Sequence, residues 1–413
     1  MKKSLSELAI FGGTPAFSET LHIGRPNIGN RQHLFDRINS ILDTRWLTNY
    51  GPFVEEFEQQ IAENLGAKHC IAMCNGTIAL EIAIRAAGLS GEVIVPSFTF
   101  IATAHSLQWQ EITPVFCDID AETFTIDPSK IEALITPRTT GIIGVHLWGR
   151  PCDIDGLTDI AVKNNLTLLF DASHAFECSY HGKMIGNFGT AEVFSFHATK
   201  FLNSFEGGAV VTNDDELAKK IRLMKNFGFA GYDNVIYIGT NGKMTEICAA
   251  MGLTSLESVN DFIAVNRFNY YKYKEQFKGI KGVDLLTYDE SEKLNFQYIT
   301  LLIDETVSKI TRDELCQILK AENILARRYF YPGCHRMEPY RSYFPHAGLL
   351  LPQTEKLVDQ VLSLPTGTSV KEADVDKICD LIRFIIAHGP AIRKKMHNKR
   401  QGNTILACSQ TLT

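Results

Sequence analysis

The segment Phe194-Ser195-Phe196-His197-Ala198-Thr199-Lys200 puts a lysine just after an apolar strand, and Glu206-Gly207-Gly208 leads into a second one at Ala209-Val210-Val211. Desolvating an ammonium is costly, so a lysine at a buried strand end needs a reason. The same desolvation lowers its pKa and frees an amine that can form a Schiff base. An isolated lysine more often snorkels to solvent, so the neighbours decide. Asp171 follows the apolar run Leu166-Thr167-Leu168-Leu169-Phe170, with His174 three residues on. A strand-end carboxylate can hold a cationic ring nitrogen, although a turn aspartate is the commoner case. Asn75-Gly76-Thr77 joins a strand to a helix. Glycine admits a ligand close to the backbone, and the helix N-terminus attracts an anion. Taken alone, a threonine there is explained as a helix cap. Phe98 and Phe100 follow Pro96 and could stack on a flat ring.

Together these give an anion cradle, a ring platform, a partner for a pyridine nitrogen and a Schiff-base amine. Those are the parts a pyridoxal phosphate (PLP) enzyme requires. No Walker lysine and no Gly-x-Gly-x-x-Gly is present, so triphosphate and dinucleotide sites are not indicated. His146, His174 and His197 lack ligand spacing with carboxylates, and no metal is expected.

The elements that position these residues read as an alternation of strands and helices. Strands are predicted at Cys70–Cys74, Val93–Val95, Val115–Cys117, Gly141–His146 and Leu166–Phe170. Helical patterns fall at 31–43, 53–65, Thr77–Ala87, 100–109, 128–135 and 153–164. Apolar strands separated by crossover helices imply a mostly parallel sheet covered on both faces. Ligands then sit beyond the strands' carboxyl ends. After helices over 243–257 and on to about 278, a smaller α/β unit is expected. Its parts are a strand at Gln297–Ile303, a helix over 311–321, a strand at Leu325–Tyr331, and helices over 353–362 and 371–386. The division expected is a large domain over 1–265, including an N-terminal helical segment, a small domain over 266–388, and a flexible tail over 389–413.

A chain of 413 residues, 45% of them hydrophobic, can bury a large core, and its net charge of −6 leaves no basic footprint for nucleic acid. Ten cysteines without a Cys-x-x-Cys pair read as reduced thiols. No apolar run suggests a signal sequence or a membrane span, so a cytoplasmic protein is expected.

The segments Asn75-Gly76-Thr77, Pro96-Ser97-Phe98-Thr99-Phe100, Asp171-Ala172-Ser173-His174, Phe194 to Lys200, Glu206-Gly207-Gly208 and Gly239 to Glu246 resemble the sugar aminotransferases of the DegT/DnrJ/EryC1/StrS family. The likeness runs from Phe11-Gly12-Gly13 to about residue 386. It is nearest to the subgroup that aminates C4 of dTDP-4-keto-6-deoxyglucose, the desosamine-pathway type. The resemblance implies the fold of PLP-dependent aminotransferases of fold type I. By it, Lys200 would carry PLP, Asp171 would pair with the pyridine nitrogen, and His174, where many relatives have Gln, would lie near the ring hydroxyl. Phe100 would stack on the ring, and Gly76, Thr77 and Ser195 would hold the phosphate. Asn241 would serve the neighbouring subunit's phosphate, which implies a homodimer with shared active sites. Lys243 stands where relatives often carry Arg. Arg25, Arg327, Tyr331 and His335 are candidates for the substrate, whose diphosphate needs cations.

The reaction implied is transfer of an amino group from L-glutamate to a dTDP-linked ketosugar, giving dTDP-4-amino-4,6-dideoxyglucose. Three alternatives stay open at this point. A relative of the same type could aminate C3 or a cyclitol ketone. A dehydratase type is disfavoured because it carries His where this chain has Lys200. A non-catalytic PLP-binding protein would retain the same cofactor residues.

Overall fold

The computed structural model describes residues 2–398. Seven strands form the main sheet: β1 (His69–Met73), β2 (Glu92–Pro96), β3 (Thr113–Cys117), β4 (Thr139–Val145), β5 (Thr167–Asp171), β6 (Ala191–Ser195) and β7 (Gly208–Thr212). Their order is β1-β7-β6-β5-β4-β2-β3, and β7 alone runs antiparallel to its neighbours. Alternate side chains enter two cores. Ala72, Ile94, Ile142, Leu168, Phe170 and Phe194 face one, while Ile71, Val93, Val95, Ile143, Leu169 and Val193 face the other. The strands are apolar on both faces because helices cover both. Helices Pro52–Leu65, Ile154–Asn164 and Glu246–Glu257 pack on the first face. Helices Gly76–Ala86, Ile101–Gln108 and Asp215–Met224 pack on the second.

This topology brings the carboxyl ends of β1, β2, β4, β5 and β6 to one edge of the sheet. Asp171 ends β5 and Ser195 ends β6. Asn75, just beyond β1, caps the helix Gly76–Ala86, its Oδ1 accepting from the Ile78 amide at 2.8 Å.

A second core surrounds a three-stranded antiparallel sheet, β8 (Val283–Leu285), β9 (Ile299–Ile303) and β10 (Val361–Leu364). Helix Arg312–Ala321 begins with a Thr311/Glu314 capping box, and it packs there with helix Glu372–Ala387. The helix Val259–Phe277 serves both cores: Val259 and Phe262 enter the first, and Tyr270, Tyr273 and Phe277 the second.

Four segments differ from the sequence reading. The helix expected over 353–362 stops at Val358, and Val361–Leu364 pairs with β9 as a strand. A short apolar run cannot be told from a helix end by periodicity, and strand pairing decides it. The strand expected at Leu325–Tyr331 is confined to Ile324–Leu325, which pairs in parallel with Leu21–His22. Tight turns follow, with the Gly333 amide donating to the Phe330 carbonyl at 2.9 Å. Residues 5–22 pack with the smaller unit, where Leu8, Phe17 and Leu21 join its core. The buried Glu322 carboxylate accepts there from the Ala9 and Ala16 amides, each at 2.7 Å. The expected flexible tail begins too early: residues 389–398 are helical, and Ile392 and Met396 are buried in the second core. The rest of that tail, 399–413, lies outside the described residues.

Candidate active site

At the strand-end edge the two units enclose a cavity of about 610 Å³. It is lined by Lys200, Asp171, Gly76, Thr77, Phe100, His174 and Ser195, with Arg25 and Arg327 added from the segments that connect to the smaller unit. Residues dispersed from Arg25 to Arg327 thus share one space.

Lys200 lies on the loop between β6 and β7, its backbone amide donating to the His197 carbonyl at 2.8 Å. Part of its side chain faces the cavity, but protein surrounds it, and desolvation pushes its pKa down to about 8 against the opposing pull of Asp171. A far larger share of the amine is therefore neutral near physiological pH than in an ordinary lysine. Asp171 is buried, and both its oxygens are oriented: Thr103 Oγ1 donates to Oδ2 at 2.9 Å and the Ser173 amide to Oδ1 at 3.1 Å.

Gly76 is the first residue of its helix, where a Cβ would crowd Ser195, 3.0 Å from its Cβ. Because Asn75 takes the capping role, the Thr77 hydroxyl is left without a protein partner among the described residues. The helix N-terminus therefore offers free donors beside the Thr77 and Ser195 hydroxyls. Phe98 is buried, edge-on to Trp148 at 5.6 Å between ring centroids, which removes it as a ring platform. Phe100 is 56% exposed and lines the cavity.

His174 is buried, and burial together with the charge of Lys200 holds its pKa well below the ordinary histidine value. Its ring lies nearly parallel to Phe330, 5.8 Å between centroids and 12° between planes. His197 also lines the cavity, where it contacts Thr199 Oγ1 at 2.7 Å and Glu206 at 3.5 Å.

Four candidates fall outside this cavity in the single chain. Asn241 is exposed on the far side of β1, and Lys243 donates to Asn226 Oδ1 at 2.8 Å. Tyr331 lines a neighbouring cavity of about 370 Å³ and lies under the Arg328 guanidinium at 4.2 Å. His335 is used up inside the protein. Its Nδ1 meets Ser97 Oγ and its Nε2 meets Glu355 Oε1, each at 2.6 Å, so it ties the 333–336 turn to the end of β2. Burial pushes its pKa down to about 4 even with the Glu355 carboxylate alongside, so the imidazole is a neutral structural link.

Three contributors escape the sequence reading. Thr103 orients Asp171; in the helix Ile101–Gln108, which also carries His105, Ser106 and Gln108, nothing in the sequence singles it out. Asn27 ties the Gly24-Arg25-Pro26 strap to both units, donating to the Phe201 carbonyl at 2.9 Å and accepting from the Thr368 amide at 3.0 Å. Trp148 reaches His174 through its backbone, which no side-chain pattern can reveal. Among the described residues no group of His, Cys, Asp or Glu could hold a metal ion, and no helix is long and apolar enough to cross a membrane.

A dTDP-4-amino-4,6-dideoxy-D-glucose transaminase of Shigella dysenteriae is 37% identical to this chain over 365 residues, covering 88% of this chain and 99% of the relative. A GDP-perosamine synthase of Caulobacter vibrioides is 37% identical over 349 residues, covering 83% and 92%. The crystal structure of DesI in the presence of its TDP-sugar product superposes with a TM-score of 0.92 at 47% identity, covering 95% of this chain and all of that one. The family model described as the DegT/DnrJ/EryC1/StrS aminotransferase family matches residues 30–383. The chain belongs to that family.

Proposed function

We propose that this protein is a PLP-dependent sugar-nucleotide aminotransferase that moves the amino group of L-glutamate to C4 of dTDP-4-keto-6-deoxy-D-glucose. The observation that carries the reading is the convergence of Lys200, Asp171 and the Gly76–Thr77 cradle on one cavity in a chain of this family. The transaminase of Shigella dysenteriae and the DesI structure support the dTDP-linked sugar.

The residues fit PLP. The helix N-terminus at Gly76, cleared of any Cβ, suits a phosphate, with the Thr77 and Ser195 hydroxyls as further donors. Asp171 keeps acceptor capacity for a protonated ring nitrogen, and Phe100 offers a ring face. Bound there, PLP supplies an electron sink that makes the Cα proton of an attached amine acidic.

The protein's own part follows from the geometry. Lys200 Nζ, its pKa lowered by desolvation, takes the proton from the donor's Cα, and in the second half of the cycle it delivers a proton to C4 of the sugar. Asp171, kept in place by Thr103 and the Ser173 amide, holds the ring-nitrogen proton. Arg25 and Arg327 are the cavity's cations besides Lys200, and they suit the donor's carboxylates and the sugar's diphosphate. Asn241 and Lys243 serve a second copy's site in this reading. Phe227, Phe229, Tyr232, Ile236 and Ile238, exposed on the segment between them and the helix Asp215–Met224, support such a homodimer.

Incubation with L-glutamate and dTDP-4-keto-6-deoxy-D-glucose, with the product identified by NMR, tests the reading. A 4-amino-4,6-dideoxy product is expected. Turnover confined to GDP-linked or 3-keto sugars would replace the substrate and keep the chemistry.

A further inference from the structure

We propose that the turn Leu147–Arg150 is a tautomer lock. It holds His174 with its single ring proton on Nε2, directed into the cavity, so that His174 is a hydrogen-bond donor to the cofactor's ring oxygen.

The turn closes tightly beyond β4, the Arg150 amide donating to the Leu147 carbonyl at 2.9 Å. Its two central residues, Trp148 and Gly149, have φ of +56° and +78°. Positive φ is natural for Gly149 but strained for tryptophan. Gly149 has no freedom to become larger, since a Cβ would meet Asn295 Oδ1 at 2.9 Å. The strain places the Trp148 amide against His174 Nδ1 at 3.3 Å. An amide only donates, so Nδ1 must accept, and in a neutral imidazole the proton then sits on Nε2.

The lock is braced on every side. Asn295 Nδ2 donates to the His174 carbonyl at 2.9 Å, and Tyr288 Oη donates to the Trp148 carbonyl at 3.1 Å. Phe330 and Tyr298 pack on the imidazole, 5.8 and 4.6 Å between centroids. Nε2 has no protein partner among the described residues, and His174 lines the cavity. The titratable groups around it are Lys200, Asp171, Tyr298 and Tyr329. Desolvation keeps the Tyr298 hydroxyl protonated, and a positive Lys200 opposes a second charge on the ring.

The contact with the ring oxygen rests on the PLP reading, whereas the lock itself does not. Long-range 1H–15N spectra of 15N-histidine-labelled holoprotein test the lock, His174→Gln identifying the peaks by their loss. The expected pattern is an unprotonated Nδ1 and a protonated Nε2, unchanged from about pH 5.5 to 9. A proton on Nδ1, or a titration midpoint near 6.5, would overturn it. Gly149→Ala should admit a tautomer mixture; if it unfolds, the parent spectra still decide. For the contact, His174→Gln keeps a donor and should keep the visible band and the cofactor affinity. His174→Phe should shift the band and weaken cofactor binding about tenfold. Equal affinity for both variants would remove the contact while leaving the lock standing, and absence of any cofactor band in the parent protein would instead refute the PLP reading.

Discussion

Replacing Asp171 by Asn removes one charge and little else. The carboxylate is 7% exposed and holds two hydrogen bonds, from Thr103 Oγ1 at 2.9 Å and the Ser173 amide at 3.1 Å. An asparagine oxygen can still accept from Ser173, and its amide can donate to the Thr103 oxygen, so the fold should survive. What is lost, in the proposed reading, is a buried counter-charge to the ring nitrogen. Removing one partner of such a pair costs about 3–5 kcal/mol. At about 1.4 kcal/mol per decade, the glutamate half-reaction should slow by roughly a hundredfold to several thousandfold. Lys200 should respond too: Asp171 opposes the desolvation that depresses its pKa, so in Asp171→Asn that pKa should fall below about 8. Stopped-flow absorbance of the cofactor after mixing with L-glutamate reads the rate, and circular dichroism reads the fold. A folded variant whose rate stays within tenfold of the parent would refute the assignment of Asp171.

Other consequences are as direct. Lys200→Ala should still bind the cofactor through the phosphate cradle and Asp171, but show no transamination; substantial turnover would take Lys200 out of its role. With a pKa near 8, about one-tenth of Lys200 is neutral at pH 7, against roughly 3 in 10,000 for an ordinary lysine. The rate at which apoprotein captures PLP should therefore rise with pH through a midpoint near 8 and level above it, and a rise continuing past pH 10 would contradict the depressed value. Lys225 is buried, its Nζ donating to Glu58 Oε1 at 2.8 Å and to the Ala72 carbonyl at 3.1 Å. Lys225→Met should destabilise by about 3 kcal/mol, the low end for a broken buried pair, because Arg222 still contacts Glu58 Oε2 at 2.6 Å. Urea denaturation checks this, and a loss under 1 kcal/mol would make the pair dispensable.

The parts of the molecule legible in the sequence are those whose physics is local. A parallel strand buried on both faces is an apolar run whose end is marked by the first polar residues, so Asp171 and the Asn75–Thr77 segment are placed at strand ends, and Lys200, on the loop beyond β6, is singled out only in their company. The smaller unit is harder because its strands are short: Val361–Leu364 continues a helical pattern until pairing with β9 overrides it. The tail shows the limit of composition, since two apolar residues, Ile392 and Met396, suffice to dock a basic segment. Contacts made by backbone atoms, such as the Trp148 amide on His174, carry no side-chain signature at all. Buried positioning groups behave similarly: Thr103 is one hydroxyl among many until the fold brings it to Asp171.

The central claim is a two-step amino transfer run from one cavity by Lys200 and Asp171. Its most direct test is a single-turnover cycle followed by visible absorbance on the purified protein. L-glutamate should convert the bound cofactor to its amine form, and dTDP-4-keto-6-deoxy-D-glucose should restore the starting spectrum within one equivalent. A protein that shows no cofactor band bonded to Lys200, or whose band L-glutamate and other amino donors leave unchanged, would contradict the account.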